Sequence, residues 1–345
     1  MRWNCLLNVV ECHTEGEMGK VVTGGIGQVP GETVFDKMKY FEENLDHLRK
    51  LLLHEPRGGV LHCANFLVPS SHPDADMGYI ITESIYYPMM SGTNTICTAT
   101  VLLETGILPM VEPVTHVTLE SPAGLISLVC QCRDGKVTSV TFRNQPAFVY
   151  HLDAPIEVDG MGTVMVDVAW GGMAYVIADA KSLGFMLTPD EGHDLCVAGQ
   201  KLKHAAAEQL EAIHPINPEF GGITQTEFVG PMRVENGALT SRNTVIVSPG
   251  RIDRSPCGTG TSARLAVMHA RGQIDVGQVF THESIIGTTF KSTIVELTRV
   301  GETPAIIPEV TGQAWITELS QVGCDPTDPF PTGIMVSDTW PAEQE

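Results

Sequence analysis

Apolar residues recur at helical spacing in two stretches. Over residues 42–54, Leu45, Leu48 and Leu52 share one side, and Pro56, Gly58 and Gly59 end the run, which predicts an amphipathic helix. Over 189–213, Leu195, Ala198, Leu202, Ala206 and Leu210 mark a longer one. Elsewhere the polarity alternates. The segments LISLVCQCR and KVTSVTFR flank Asp134-Gly135, the signature of a hairpin with a two-residue turn, and further strands are predicted at 162–168 and 174–178. On that hairpin Cys130 and Cys132 share a face with Ile126 and Leu128, so they read as core residues rather than a metal pair. The uncharged stretch 84–103 contains Pro88, Gly92, Asn94 and several Thr and Ser, and is too polar for a membrane-spanning helix. From Asp325 onward Pro and acidic residues accumulate, and about ten terminal positions are expected to be loosely held.

The most informative pattern is internal. Residues 91–106 (SGTNTICTATVLLETG) match 257–272 (CGTGTSARLAVMHARG) without a gap, at a constant offset of 166. Gly92 falls on Gly258, Thr93 on Thr259, Thr95 on Thr261, Val101 on Val267 and Gly106 on Gly272. Continuing the register puts Thr115 on Thr281 and His116 on His282. Each copy has a polar, Gly-rich turn, a helix-compatible run and a Gly at the helix C′ position, so both turns should open helices. The duplication implies two similar domains. Free amides and the dipole at a helix start attract anions, and two such turns could hold one carboxylate from both sides. The same dipole should bring the Cys257 thiol from about 8.5 toward neutrality. Its counterpart in the first copy is Ser91, so a thiol and a hydroxyl occupy equivalent positions, on opposite faces of a small bound acid.

Composition narrows the classes. The 345 residues carry a formal charge of −20 with no basic stripe, which argues against nucleic acid and membrane surfaces as partners. The 43% hydrophobic and 18% charged content belongs to a folded protein of about two domains, and 34 Gly with 22 Pro point to many short strands. Residues 1–10 lack a secretory signal, so a cytoplasmic location is expected, with the nine scattered cysteines mostly reduced.

Each candidate has a plainer reading. Cys257 could be a buried structural cysteine, but Gly258 and Gly260 flank it rather than apolar residues. Ser91 could be a helix cap only. Asp253, beside Arg254, could form a surface ion pair. His13, in CHTEGE, lacks zinc-site spacing and reads as structural. Gly258-x-Gly260-x-x-Ala263 fits a dinucleotide fingerprint formally, but Ser255-Pro256-Cys257 stands where that motif needs a strand. A two-lobed solute-binding protein would also present two anion loops, but it would carry a secretory signal.

The segments CHTEGE (12–17), HEPRGG (54–59), WGGMAYV (170–176), DRSPCGTGTSARLAV (253–267) and IIPEVTGQAWIT (306–317) together resemble the proline racemase superfamily over nearly the whole chain. The resemblance implies an α/β fold of the diaminopimelate epimerase type. Two pseudo-symmetric domains would each wrap strands around a central helix, with the active site between them. The expected domains are 1–160, to which a segment of about 305–345 returns, and 161–304. Family members act on proline or hydroxyproline without cofactor, so the implied partner is a small-molecule substrate, hydroxyproline, with no metal. A homodimer is left open.

In the family's racemases and epimerases two cysteines exchange a proton with Cα, the first within a Met-Cys-Gly-His-Gly motif. This chain has Met90-Ser91-Gly92-Thr93-Asn94, so Ser91 replaces the first cysteine and Thr93 the histidine, while Cys257 keeps the second. The resemblance implies that the amides of Gly92, Thr93, Gly258 and Thr259 hold the substrate carboxylate and that Asp253 accepts from the ring ammonium. Racemisation needs comparable acids and bases on the two faces, and a serine hydroxyl ionises far less readily than a thiol. Dehydration needs one good base. Family members with a Cys/Thr or Ser/Cys pair are associated with trans-3-hydroxy-L-proline dehydration, and the Ser/Cys group also with 4-hydroxyproline epimerisation. The resemblance therefore implies dehydration of trans-3-hydroxy-L-proline, catalysed by Cys257 and Ser91, with 4-hydroxyproline 2-epimerisation as the alternative, alone or alongside it.

Overall fold

The computed structural model describes residues 3–220, 222–235 and 237–340. The chain forms two compact units, residues 1–142 with 313–345, and residues 143–312.

The first unit opens with the hairpin β1 (Leu6–Thr14) and β2 (Glu17–Gly24), turning at Glu15-Gly16, both with positive φ. Two helices follow, α1 (Val34–Asn44) and α2 (Asp46–Leu53). They replace the single predicted helix over 42–54, because the chain leaves helical geometry at Leu45 (φ −125°, ψ 9°). The start at Val34 is set by a capping box in which Thr33 and Asp36 satisfy each other's backbone amides. Val34, Met38 and Phe41 supply the first apolar stripe and Leu48, Leu51 and Leu52 the second. β3 (Ala64–Val68) lies parallel to β2 and antiparallel to β4 (Met77–Thr82). α3 (Gly92–Glu104) is buried on every side from Gly92 to Leu103, which makes it the inner helix of the unit. β5 (Val114–Ser121) pairs parallel to β4 and antiparallel to β6 (Gly124–Arg133). β6 and β7 (Lys136–Arg143) flank Asp134 and Gly135, whose φ values of 56° and 75° are those of a primed two-residue turn. Ile126, Leu128, Cys130 and Cys132 all point into the core, as their alternation predicts.

The second unit repeats this plan. β8 (Ala147–Val158), β9 (Gly162–Trp170) and β10 (Ala174–Asp179) are successively antiparallel, and α4 (Gly192–Gln209) occupies the place of α1 and α2. α4 buries Leu195, Ala198, Leu202 and Ala206 against Phe228 and Ile246. β11 (Ile223–Val229) is parallel to β10, and the short β12 (Arg233–Glu235) leads to β13 (Ala238–Val247), which is antiparallel to β11. After β14 (Arg251–Asp253) comes the inner helix α5 (Gly258–Ala270). β15 (Val279–Glu283), β16 (Thr289–Val300) and β17 (Thr303–Gly312) follow, and β17 pairs back onto β8. The strands thus close around α5, whose Leu265 and Met268 pack on Ala147, Phe280, Ile294 and Ile306. The last strand, β18 (Ala314–Gly323), pairs with β1.

In both units the pairings run antiparallel, parallel, antiparallel, parallel, antiparallel, and α3 and α5 are both 13 residues long. The fold is the mixed α/β, two-domain plan that the repeat implies. The changeovers fall after Phe142 and Gly312 rather than near 160 and 305, because β8 pairs with β9 and β18 with β1. The tail is held more firmly than its composition suggests. Arg57 binds Asp328 at 2.7 Å and the Phe330 carbonyl, and Glu55 accepts from Thr339 and from the indole N–H of buried Trp340. Residues 341–345 lie outside the described residues. Among the described residues no helix is long and apolar enough to cross a membrane.

Candidate active site

The seven sequence-predicted residues fall into two sets, one in each unit. Ser91, Gly92 and Thr93 stand at the start of α3, while Asp253, Cys257, Gly258 and Thr259 stand at the start of α5.

In the first unit Ser91 is the N-cap of α3, in extended backbone and half-buried. Its Oγ accepts from the Asn94 N–H at 3.4 Å and from Asn94 Nδ2 at 3.0 Å, and lies 3.1 Å from Thr93 Oγ1. Asn94 is held in turn by Asn65 Nδ2, 2.7 Å from its Oδ1. The Ser91 carbonyl takes the Thr95 hydroxyl, which also meets the Tyr79 hydroxyl at 2.6 Å. The amides of Gly92 and Thr93 lie in the first turn, where helical geometry provides no intrahelical acceptor.

In the second unit Cys257 caps α5 in the equivalent way, with Sγ accepting from the Gly260 N–H at 3.4 Å. The offset of 166 carries over to this bond, since Asn94 and Gly260 are repeat partners. The backbone does not match: Cys257 has φ +59°, a region where a side-chain-bearing residue costs roughly 1–3 kcal/mol. The Tyr175 hydroxyl, from β10, lies 3.3 Å from Sγ and 2.6 Å from Thr259 Oγ1. Asp253 is buried rather than on the surface, and its Oδ1 accepts both the N–H and the hydroxyl of Ser255. The Ser255 oxygen then accepts the Cys257 N–H at 3.0 Å, so Asp253 and Cys257 are joined through one residue. Gly171, of the WGG segment, lies so close to α5 that a Cβ there would stand 2.1 Å from the Thr259 carbonyl oxygen.

The electrostatics correct one expectation. Burial pushes the Cys257 thiol well above its ordinary value, and the charge of Asp253 pushes it further. The Tyr175 and Gly260 hydrogen bonds act in the opposite direction, and Glu227 adds a smaller upward push. The helix start therefore does not by itself produce a neutral-pH thiolate, because desolvation of the anion outweighs it.

Tyr175, Ser255 and Asn94 touch the predicted residues and carry no role in the sequence reading. Tyr175 had a signal, since a phenol in the fully apolar strand AYVIA requires a hydrogen-bond partner. Ser255 had one too, as the third residue of an Asp-x-Ser turn. His13, read as structural from the sequence, stacks on Trp315 at 5.2 Å, and its Nδ1 accepts the Gly16 N–H.

Solved structures share this fold. A hydroxyproline epimerase from Agrobacterium vitis, with bound trans-4-OH-L-proline, is 38% identical, covers 99% of each chain and superposes with a TM-score of 0.92. A probable proline racemase from Agrobacterium radiobacter K84, with bound carbonate, is 38% identical over 97% of this chain and 98% of its own, with a TM-score of 0.90. A phenazine biosynthesis protein of the PhzF family from Bacillus anthracis shares the fold at 13% identity, covering 92% of this chain and 99% of its own, with a TM-score of 0.59. Residues 9–335 match the family described as Proline racemase, and the chain is an enzyme of that family.

Proposed function

We propose that the protein removes the Cα proton of a hydroxyproline with Cys257 and that its main reaction is dehydration of trans-3-hydroxy-L-proline to Δ1-pyrroline-2-carboxylate. The observation that carries this reading is the inequality of the two caps, a thiol at 257 and a hydroxyl at 91. Ser91 Oγ accepts two N–H bonds from Asn94, so its own hydrogen faces Thr93 Oγ1 and turns to the substrate in exchange for that contact, and the helix start stabilises the oxygen once the proton has left. Such a group suits a proton donor better than a base.

The amides of Gly92, Thr93, Gly258 and Thr259 are the donors to the substrate carboxylate, where charge develops as Cα is deprotonated. Asp253 accepts from the ring ammonium. A cation beside Asp253 cancels part of the field that holds the thiol protonated, so Cys257 releases its proton to solvent when substrate binds. The thiolate takes the Cα proton, and the released electron pair forms the Cα–Cβ double bond as the 3-hydroxyl leaves. Ser91 supplies the proton with which that hydroxyl departs as water. The enamine tautomerises to Δ1-pyrroline-2-carboxylate, proton exchange from the thiol to the serine oxygen through solvent regenerates thiolate and hydroxyl, and the thiolate takes back from solvent the proton it released once product leaves.

A second reading, 2-epimerisation of 4-hydroxyproline, is favoured by the 38% identity to the A. vitis epimerase whose structure holds trans-4-OH-L-proline. The test incubates the protein with trans-3-hydroxy-L-proline and trans-4-hydroxy-L-proline separately, following pyrroline with o-aminobenzaldehyde and Cα inversion by polarimetry. Pyrroline from the 3-hydroxy substrate is the expected outcome. Inversion of the 4-hydroxy substrate without any pyrroline would replace the main reading with the second.

A further inference from the structure

Behind the Cys257 turn, within the second unit, five buried residues form a polar ring with one open link, between His282 and Glu227. Asn243 Nδ2, from β13, donates to Glu227 Oε1 on β11 at 2.8 Å and to the Pro256 carbonyl at 2.8 Å. The same carbonyl takes the Thr261 hydroxyl of α5 at 3.2 Å. Thr261 Oγ1 lies 2.9 Å from His282 Nδ1 on β15, and His282 Nε2 stands 3.8 Å from Glu227 Oε1. Glu227, Thr261, His282 and Asn243 expose no surface.

The carbonyl at the centre of this ring belongs to the peptide that enters Cys257. Its orientation fixes the first backbone rotation of the residue that sits at φ +59°. A non-glycine residue stays in that region only where the surroundings over-determine it, and two hydrogen bonds on one carbonyl, both anchored to neighbouring strands, do so. The ring is costly to bury. Burial pushes Glu227 up to about 7, against the Asn243 hydrogen bond and the Arg264 charge, and pushes His282 well down. The charged groups around it are Arg264 of α5, which in turn faces Asp167, Asp179 and Arg271, and on the thiol side Asp253 with the Tyr175 hydroxyl. A glutamine would accept the Asn243 hydrogen bond at lower desolvation cost, so the carboxylate does something that an amide would not.

We propose that Glu227, Asn243, Thr261 and His282 are positioning residues that clamp the Pro256 carbonyl, hold Cys257 at its positive φ and aim its thiol, with the Glu227 carboxylate adding to the negative charge around that thiol. The proposal rests on the reading of Cys257 as the acid/base of the reaction, and its first test needs no substrate. Iodoacetamide alkylation of Cys257 is followed against pH, by mass spectrometry of the Cys257 peptide, in the full chain. Glu227→Gln keeps the acceptor and removes a charge that raises the thiol, so the alkylation midpoint moves to lower pH. In turnover, Thr261→Val lowers kcat by about tenfold, the worth of a lost buried hydrogen bond, with KM nearly unchanged, while Thr261→Ser restores it. An unmoved midpoint in Glu227→Gln, or a Thr261→Val enzyme equal to Thr261→Ser, overturns the proposal. If Glu227→Gln does not fold, the Thr261 pair decides alone. If the wild type turns over neither hydroxyproline, the functional reading fails while the alkylation arm still decides this one.

Discussion

At the start of α3 the capping side chain is Ser91, in relaxed extended backbone at φ −147°, and Asn94 supplies two donors to its oxygen. At the start of α5 it is Cys257, at φ +59°, with a tyrosine hydroxyl and one amide on its sulfur and a buried carboxylate joined to it through Ser255. The two helices share length, capping bond and C-terminal geometry, with Thr105 and Arg271 closing them in the same way. What differs is the cost of the cap. Serine is what an ordinary helix start selects, and nothing around it is strained. The α5 start holds a residue in an unfavourable conformation, buries it and surrounds it with negative charge. Stability is spent at one cap only, which fits the proposed reaction with Cys257 as its base and Ser91 as its proton donor.

The largest effect should come from Cys257→Ser, which makes the two caps alike. Serine accepts the Gly260 amide as readily as sulfur does, so folding should persist while turnover falls by roughly 10²–10⁴-fold, the usual worth of a positioned acid/base. Near wild-type pyrroline formation in this variant would remove the thiolate from the mechanism.

Asp253→Asn separates the two things done by the carboxylate. Losing the ammonium acceptor should reduce kcat/KM by about 2 kcal/mol or more, roughly thirtyfold. The free thiol should respond in the other direction. Asp253 raises the Cys257 pKa, so removing its charge lowers that pKa, and alkylation of the resting enzyme accelerates at a given pH below the wild-type midpoint. A variant that is less active and also less easily alkylated would contradict the assignment of Asp253.

Much of this difference was legible in the sequence, and the part that was not has a physical reason. The gapless offset of 166 located both caps and both inner helices, because a duplicated helix start preserves its Gly-Thr turn. The same offset equates His116 with His282, yet His116 is exposed and His282 fully buried. Side chains on a strand alternate between faces, so a one-residue shift of β15 relative to β5 reverses them, and no comparison of letters reveals it. The helix dipole at Cys257 was readable, but its opponents were not: burial and Asp253 act through the folded surroundings. The anchored tail is similar, since Glu55 and Arg57 lie more than 270 residues from their partners Trp340 and Asp328.

The smallest effects belong to Ser91, and they sharpen the comparison most finely. Ser91→Ala removes a cap from a helix buried on all sides, and should cost about 1 kcal/mol in denaturant unfolding while slowing dehydration less than Cys257→Ser does. Ser91→Cys keeps the acceptor for Asn94 and brings the α3 cap to the chemistry of the α5 cap. If the missing second thiol is what limits inversion, this variant gains 4-hydroxyproline epimerisation on polarimetry and loses part of its dehydration. The gain should be partial, because the new thiol would lack the positive φ, the tyrosine hydroxyl and the linked carboxylate of Cys257. Epimerisation equal to that of the wild type would mean that the identity of the capping atom does not decide between the two reactions.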